Sequence, residues 1–563
     1  CSLRSVLKLR LYVADMVEWD GVRKYAVHAT LALGAAFVTS KIVNYANIRL
    51  RARGKPLPVP NPLHWLYGSI PLLAERVGKN EEHIDQVLVD LMREDKSLGK
   101  LFVLKLVAID MVIVCDAEAC KEVLMTHNYA KSFTYDTLHP FIGSKSILVA
   151  DEPTWARQRK AFNPGFSFGF LRSQVPVFAA KTLELLDTKL APRAADGGVV
   201  LLHNEATLLT LDIICRIALS EDFGCLAPGG PPALYTAFAD LITTTAEYAR
   251  APHLMWTRYL PWNWLRWRGL QARFDSHVTA IIRRRLADSK ASQGSGPKDI
   301  LGLAIDTCRA EGDRLDLLEL TSQLKTFLFA GHDTTATTIS FAVYEIARNP
   351  AIEAKVLEEV DRVLGGRAPN ADDLAALKYL NCCVKESLRL WPPAGTARIA
   401  PPGTTLQGYD IGRKVMYIPH FPIHRDPDYW GPDACVYRPE RWQDENYVAA
   451  LHPCAYQPFS KGSRDCIGQT LALMEAKTVL ALLYQRYVYR YVGTSPEAQA
   501  YHITSYPKHH VPVTVHAREA LGLAPKPAAT PASSIPAATT AATPAASSPR
   551  PTSALRADAP SWP

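Results

Sequence analysis

The sequence predicts a mainly α-helical domain with a small β region. Three observations carry this. Leu315 to Arg348 is apolar enough to form one helix, about 50 Å long at the usual rise per residue. Residues 170–290 show helical patterning around Val175–Leu190, Asn204–Leu219, Leu234–Ala249 and Leu270–Ala287. Strand patterning is confined to Leu101–Leu106 paired with Met111–Val114, and to a β-turn-β over Thr404–Met416. Of the 563 residues 48% are hydrophobic, so a large core can form, and no long linker interrupts residues 60–515.

At the start of the chain, residues 25–40 carry no formal charge, and a fairly apolar run continues from Ile42 to Ile48. A span needs about 20 residues, which this stretch reaches if Lys41 snorkels to the interface. Residues 1–54 therefore read as a membrane anchor with a basic flank, an amphipathic surface helix being the alternative. The chain opens at Cys1 rather than Met, which leaves room for a preceding segment. Arg49, Arg51, Arg53 and Lys55 suit an anionic membrane surface. Pro56, Pro58, Pro60 and Pro62 make residues 55–62 a stiff, extended hinge. The net charge of +8 is modest for this length, and no nucleic-acid partner is expected. Eleven scattered cysteines without a CxxC pair indicate neither a zinc site nor a disulfide framework, and suit reduced thiols facing a cytosol.

Within the domain, a helix is expected from Ala117 to Thr126. Trp155 and Arg159 stand at i and i+4, on one helical face, where an indole N–H and a guanidinium can jointly hold a carboxylate. Taken alone, such a pair is more often a surface cation–π contact. Four tryptophans interleave with arginines from Trp256 to Arg268, a composition suited to a membrane interface or to core packing. In the long apolar helix, Ala330-Gly331-His332-Asp333-Thr334 places a glycine and an acid–alcohol pair mid-helix. Gly331 costs about 1 kcal/mol there relative to Ala, which asks for a reason. A small surface at Ala330-Gly331 admits a flat ligand, Asp333 can exchange protons with solvent, and Thr334 can bond its own helix or face a ligand. Glu386 and Arg389 form an i, i+3 pair on a helix from Tyr379 to Leu390.

The most informative stretch is Phe459-Ser460-Lys461-Gly462-Ser463-Arg464-Asp465-Cys466-Ile467-Gly468. Gly462 and Gly468 let the backbone turn sharply and approach a flat ligand. A cysteine just before a helix start has its thiolate favoured by unpaired N–H groups. Arg464 can bind a carboxylate, and Phe459 can cover the sulfur from water. These features suit a metal-bound thiolate beside an anionic cofactor edge, whereas a lone cysteine in such a turn would read as a small buried hydrophobe.

This loop resembles the haem-binding loop of the cytochrome P450 family, and over residues 55–515 the chain resembles microsomal, fungal-type members. The resemblance implies the family's fold, with haem b (iron protoporphyrin IX) between the long central helix and the Cys466 loop. It implies Cys466 as the metal ligand, within a haem-binding set of Phe459, Gly462, Arg464, Gly468, Ala330 and Gly331. It implies Trp155, Arg159, Arg398 and Arg464 as propionate partners, and Asp333 and Thr334 as the groups that deliver protons. Glu386, Arg389 and Arg441 resemble the family's buried structural network. His424-Arg425-Asp426-Pro427 and Trp430-Gly431-Pro432-Asp433 also look like family signatures, whereas Asp151-Glu152-Pro153 departs from the Asp-Gly expected before the Trp155 helix.

The activity implied is monooxygenation of a lipophilic molecule by O2, by hydroxylation or epoxidation, with secondary metabolism as the expected setting. No flavin or nicotinamide fingerprint is present, so NADPH is expected to act only through a separate NADPH-cytochrome P450 reductase at the endoplasmic reticulum membrane, with the domain facing the cytosol. Substrate recognition is expected near residues 131–150, 236–268 and 394–399. Two other classes share the ligand loop: a haem enzyme that rearranges peroxides, which commonly lacks the acid–alcohol pair, and a haem carrier, which does not need the Asp333-Thr334 helix. Residues 516–563 are assigned to a low-complexity tail, Ala/Pro/Ser/Thr-rich beyond about Leu523.

Overall fold

The long apolar run forms a single helix, Leu317–Ala347, in the computed structural model of the chain. Asp316 starts it by accepting from the Glu319 N–H at 2.6 Å, which satisfies one of the donors left open at a helix start. The structure describes residues 55–64, 67–79, 83–106, 109–227, 229–230, 232–250, 260–291, 298–312, 316–501 and 503–523, together with residue 39. Apart from residue 39, the expected anchor lies outside the described residues. Among the described residues, no helix is long and apolar enough to cross a membrane.

The central helix is buried on nearly every face, and its closest partner is Leu202–Leu219. Gly331 makes that approach possible: a Cβ there would lie 3.0 Å from Ile214 Cγ1. The Thr210 hydroxyl donates to the His332 carbonyl at 2.8 Å across the same contact. Phe168–Leu185, Ala233–Arg250, Lys378–Leu390 and Gln469–Arg486 complete the helical surroundings. The expected helix 117–126 is Ala117–Lys121 followed by a wider turn, Glu122–Thr126. The Trp/Arg-rich stretch is helical from Pro261, within Pro261–Ala291, rather than a loop, and residues 251–259 lie outside the described residues.

The principal sheet has four strands in the order Leu101–Leu106, Ile109–Val114, Val415–Ile418, Thr396–Ile399. Only the Ile109–Val114 and Val415–Ile418 pair is parallel. Residues 55–57 and 400–413 form a separate small unit, in which Thr405–Leu406 pairs with Tyr409–Asp410 and the Lys55 N–H donates to the Gly408 carbonyl at 2.9 Å. The β-turn-β expected over Thr404–Met416 thus divides, because Val415 begins a strand of the principal sheet. A three-stranded sheet joins Val199–Leu201, Pro512–Ala517 and Tyr487–Tyr491, and Gln499–Tyr501 pairs with Ser505–Pro507 as a hairpin. Order runs past the expected boundary at residue 515. The strand continues to Ala517, and buried Arg518 holds both Asp361 oxygens at 2.7 Å.

Glu386 ties these parts together. Arg389 donates to its two oxygens at 2.9 and 2.8 Å, and Arg441 Nε donates at 2.9 Å. The Trp442 indole and the Arg438 backbone N–H each donate to it at 2.9 Å. The side chains of Glu386, Arg389 and Arg441 are fully buried, and such a charge is tolerable only when its lone pairs are filled this way. Arg389 also donates to the His424 carbonyl at 2.7 Å. His424 carries the link onward, with Nδ1 3.1 Å from the Arg389 carbonyl and Nε2 accepting the Gln457 N–H at 2.9 Å, two residues before Phe459.

Glu386→Gln leaves buried Arg389 without its counterion and Arg441 with Asp433 alone, and should destabilise the fold by about 3–5 kcal/mol in urea unfolding. Asp85 supplies a pH test. Burial pushes its carboxyl up to about 7 although Tyr417 donates to it at 2.9 Å. The folded chain therefore holds a proton that the unfolded chain has lost above about pH 4, and stability from this group declines between pH 4 and 7. Asp85→Asn should remove that decline, gaining on the parent chain by up to about 1.4 kcal/mol per pH unit in that window, read from melting curves at pH 5 and pH 8.

Candidate active site

The Cys466 loop is closed by its own backbone. The Cys466 N–H donates to the Phe459 carbonyl at 2.9 Å, and the Asp465 N–H donates to Gly462 at 3.2 Å. Gly462 sits at φ +79°, and a Cβ there would lie 2.1 Å from the Leu124 carbonyl oxygen. Only glycine allows the loop to lie that close to its neighbour. Gly468 caps the helix Gln469–Arg486, and its N–H points to the Cys466 sulfur. Phe459 is half-buried and packs on the main core beside the sulfur's loop.

Cys466 is exposed to a solvent-sized probe, unlike nearly all the other described cysteines. Its surroundings are nonetheless protein, and burial pushes the thiol up; the Gly468 N–H, Arg159 and Lys131 pull the other way. An exposed sulfur in buried surroundings marks the wall of an internal hollow. The central helix shows the same signature. From Glu319 to Ile346 every residue is buried except Ala330, Gly331, Asp333 and Thr334, of which Ala330 is exposed and the others are half-buried.

Of the residues predicted to hold propionates, three sit in one cationic neighbourhood. Arg464 stacks on Trp155 at 4.5 Å from the ring centre and donates to the Ala150 carbonyl at 2.6 Å. Arg398 is completely buried; Nη1 reaches the Thr396 hydroxyl at 3.1 Å, while Nε and Nη2 have no partner. Arg159 differs from expectation. Instead of sharing a carboxylate with Trp155, it clamps the cysteine loop, donating to the Asp465 carbonyl at 2.7 Å and to Asp465 Oδ1 at 2.9 Å.

Lys131 was not predicted. It forms an antiparallel bridge with Arg398 beside the edge strand Thr396–Ile399, where the Ile399 N–H donates to the Ala130 carbonyl at 3.0 Å. Its ammonium lies 3.3 Å from the Thr396 hydroxyl and 4.9 Å from the centre of the Tyr135 ring. Like charges directly across a strand pair repel. Among the described residues, no carboxylate pairs with either cation. Burial lowers Lys131 to about 8, helped by the Arg398 and Arg464 charges, and lowers Arg398 to about 10, helped by Arg464. A carboxylate-bearing ligand would relieve both, so the orphaned donors fit the edge of a haem. No sequence signal marks Lys131, because a strand pairing 267 residues apart creates its role.

On the central helix, the Thr334 hydroxyl donates to the Ala330 carbonyl at 2.7 Å. Asp333 is not open to bulk water as expected. Burial raises its carboxyl to about 7, and its hydrogen-bond partner is the Thr504 hydroxyl. Parts of the expected recognition regions are core: Phe141, Ile142 and Phe238 are buried, with Phe141 5.2 Å from Phe329 and Phe238 5.0 Å from the His332 ring.

A glycine-flanked thiol loop beside cations that no carboxylate pairs suits a haem-thiolate protein. Comparison with known proteins agrees: the family model for Cytochrome P450 matches residues 58–507, and the chain belongs to that family. It is an oxygen-incorporating oxidoreductase, and haem is the family's cofactor. Cytochrome P450 4V2 of Mus musculus is 32% identical over 65% of this chain and 72% of its own length. The Homo sapiens protein of that name is 28% identical over 83% and 91%. Leukotriene-B4 omega-hydroxylase 3 of Mus musculus is 28% identical over 81% and 89%. A crystal structure of a cytochrome P450DA heme domain shares the fold, with TM-score 0.70 over 82% of this chain and 97% of that one, at 24% identity.

Replacing Arg398 by Met removes an unpaired buried charge. The haem-free chain should be as stable as the parent or more so, while haem retention, read as the ratio of haem to protein absorbance, should fall by about tenfold or more.

Proposed function

We propose that this chain inserts one oxygen atom from O2 into a lipophilic substrate, by hydroxylation or epoxidation, using haem b and electrons from NADPH-cytochrome P450 reductase. The observation that carries the reading is the exposed Cys466 sulfur, held by the Gly468 N–H near Lys131 and Arg398, which no carboxylate pairs among the described residues. Bound haem supplies the activation of O2. Cys466 gives up its thiol proton on ligation, and the Gly468 N–H and the Arg159 and Lys131 charges stabilise the anion. Trp155, Arg398 and Arg464, joined by Lys131, hold the propionates, and Arg159 keeps the loop in place through Asp465.

Asp333 and Thr334 move protons on the opposite wall. A carboxyl near 7 is partly protonated at neutral pH, where a proton donor works best. The Thr334 hydroxyl, resting on the Ala330 carbonyl, can rotate to pass that proton into the hollow. The acid–alcohol pair favours oxygen insertion over peroxide rearrangement or haem carriage.

The name of the mouse leukotriene hydroxylase supports a lipophilic substrate with an alkyl chain. Trp262, Trp264 and Leu265 are exposed at 65%, 47% and 63% beside Arg266 and Arg268, which supports contact with a membrane surface and fits the endoplasmic reticulum.

The reduced protein should give the thiolate-type carbon monoxide band, and Cys466→Ala should lose it; a band that survives would refute the ligand. With reductase and NADPH, Asp333→Asn or Thr334→Ala should lower product formed per NADPH by about tenfold or more, with peroxide released instead. Unchanged coupling in both variants would refute the proton-delivery role.

A further inference from the structure

Asp333 stands out among the polar groups of the hollow, because what holds it comes from the far end of the chain. Thr504 lies in the turn between Gln499–Tyr501 and Ser505–Pro507, and its hydroxyl donates to Asp333 Oδ2. Thr504 is itself buried. We propose that Thr504 is a positioning residue for proton delivery, orienting the Asp333 carboxyl and stabilising the carboxylate left behind when its proton departs. This rests on the proton-delivery role assigned to Asp333 above.

The turn is built to hold that hydroxyl still. One helical turn beyond Asp333, the Thr337 hydroxyl donates to the Ser505 carbonyl at 3.1 Å. Asp333 and Thr337, at i and i+4, share a helix face, so the turn is fastened to the helix at two adjacent points. From its other sides, the Ser505 N–H donates to the Pro393 carbonyl at 2.7 Å, and the Ser505 hydroxyl lies 2.8 Å from His83 Nε2. His83 Nδ1 accepts the Asp85 N–H at 3.1 Å, so the Nε2 nitrogen carries the proton given to Ser505. Burial lowers His83 to about 4, so it stays neutral and this fastening persists near neutral pH. A turn fastened at Ser505 on three sides limits how far the adjacent Thr504 hydroxyl must reorganise when charge appears on its partner, the condition under which a hydrogen bond favours a transition state.

The proton balance is simple. Asp333 passes from acid to carboxylate as its proton leaves toward Thr334, and a proton from water restores it. The Thr504 O–H is not consumed; its bond strengthens as Oδ2 gains charge. No cation among the described residues acts on Asp333, whose shift has burial as its only cause. Tyr235, on Ala233–Arg250, feels its charge. His332, next in the chain, turns its ring to the Leu328 and Phe329 carbonyls at 2.8 and 3.0 Å. Among the described residues, Thr504 is the side chain that hydrogen-bonds this acid.

The test uses the full chain with haem and reductase, and lauric acid as the lipophilic probe. Thr504→Val removes the hydroxyl at constant shape, Thr504→Ser keeps it, and Asp333→Asn identifies the acid. Two readouts are taken: the protonated-carboxyl infrared band followed against pH, and the share of NADPH electrons released as hydrogen peroxide. Thr504→Val should move the titration of the band lost in Asp333→Asn upward by about one pH unit, since the charged form loses its donor. It should raise the peroxide share about three- to tenfold, with an unchanged carbon monoxide spectrum. Thr504→Ser should restore both, and Thr504→Val in the Asp333→Asn background should add nothing. An unmoved titration in Thr504→Val, equal effects of Val and Ser, or an additive double variant would overturn the inference. If Asp333→Asn itself leaves the peroxide share unchanged, the delivery role fails first, whereas a strong Asp333→Asn effect with a silent Thr504→Val fails the Thr504 inference alone.

Discussion

A single buried carboxylate organises the side of the molecule that carries the cysteine. Glu386 accepts from two guanidinium groups withdrawn from water, an indole and a backbone amide. Removing either guanidinium leaves a buried charge short of a partner, so the segments that supply them are held in fixed register. Through Arg389, the His424 carbonyl and the His424 ring, that register passes to Gln457 and so to the loop that presents Cys466. The loop needs this support, because its own closure rests on few hydrogen bonds and on the close approach of Gly462 to Leu124.

Across from the loop, the structure concentrates unbalanced charge instead of neutralising it. Lys131 and Arg398 face each other across a strand pair with no anion between them, and Arg464 stacks nearby on Trp155. In a finished apolar core this arrangement would be a defect. Beside an exposed thiol at a helix N-terminus it suits a group with a metal at its centre and carboxylates at its rim. The four openings in the central helix, Ala330, Gly331, Asp333 and Thr334, give the same receptor its opposite wall.

Much of this was legible in the sequence, for physical reasons that differ from part to part. The central helix was readable because a long apolar run has one way to satisfy its backbone. The cysteine loop was readable because its function demands unusual residues close together: two glycines, an arginine and a cysteine within ten positions. Glu386 and Arg389 were readable as a local pair. Gly331 was given the wrong emphasis. It was expected to make room for a ligand, and its missing Cβ chiefly admits Ile214 of a neighbouring helix, leaving Ala330 as the exposed position. Arg159 was placed on the right face but assigned to a carboxylate of the cofactor rather than to Asp465. The short strands of the C-terminal sheets were not foreseen, since pieces of three to six residues acquire strand character only from partners distant in sequence.

The sequence by itself determined the family and the helical class and set out the thiol loop and the acid–alcohol pair, because each resides in contiguous residues whose chemistry is constrained locally. Only the tertiary structure decided which cations gather at the edge of the site and what holds the acid. Lys131 meets Arg398, and Asp333 meets Thr504, across separations of 267 and 171 residues. Such meetings are fixed by sheet pairing and helix packing, and those depend on the whole core rather than on the local pattern of side chains.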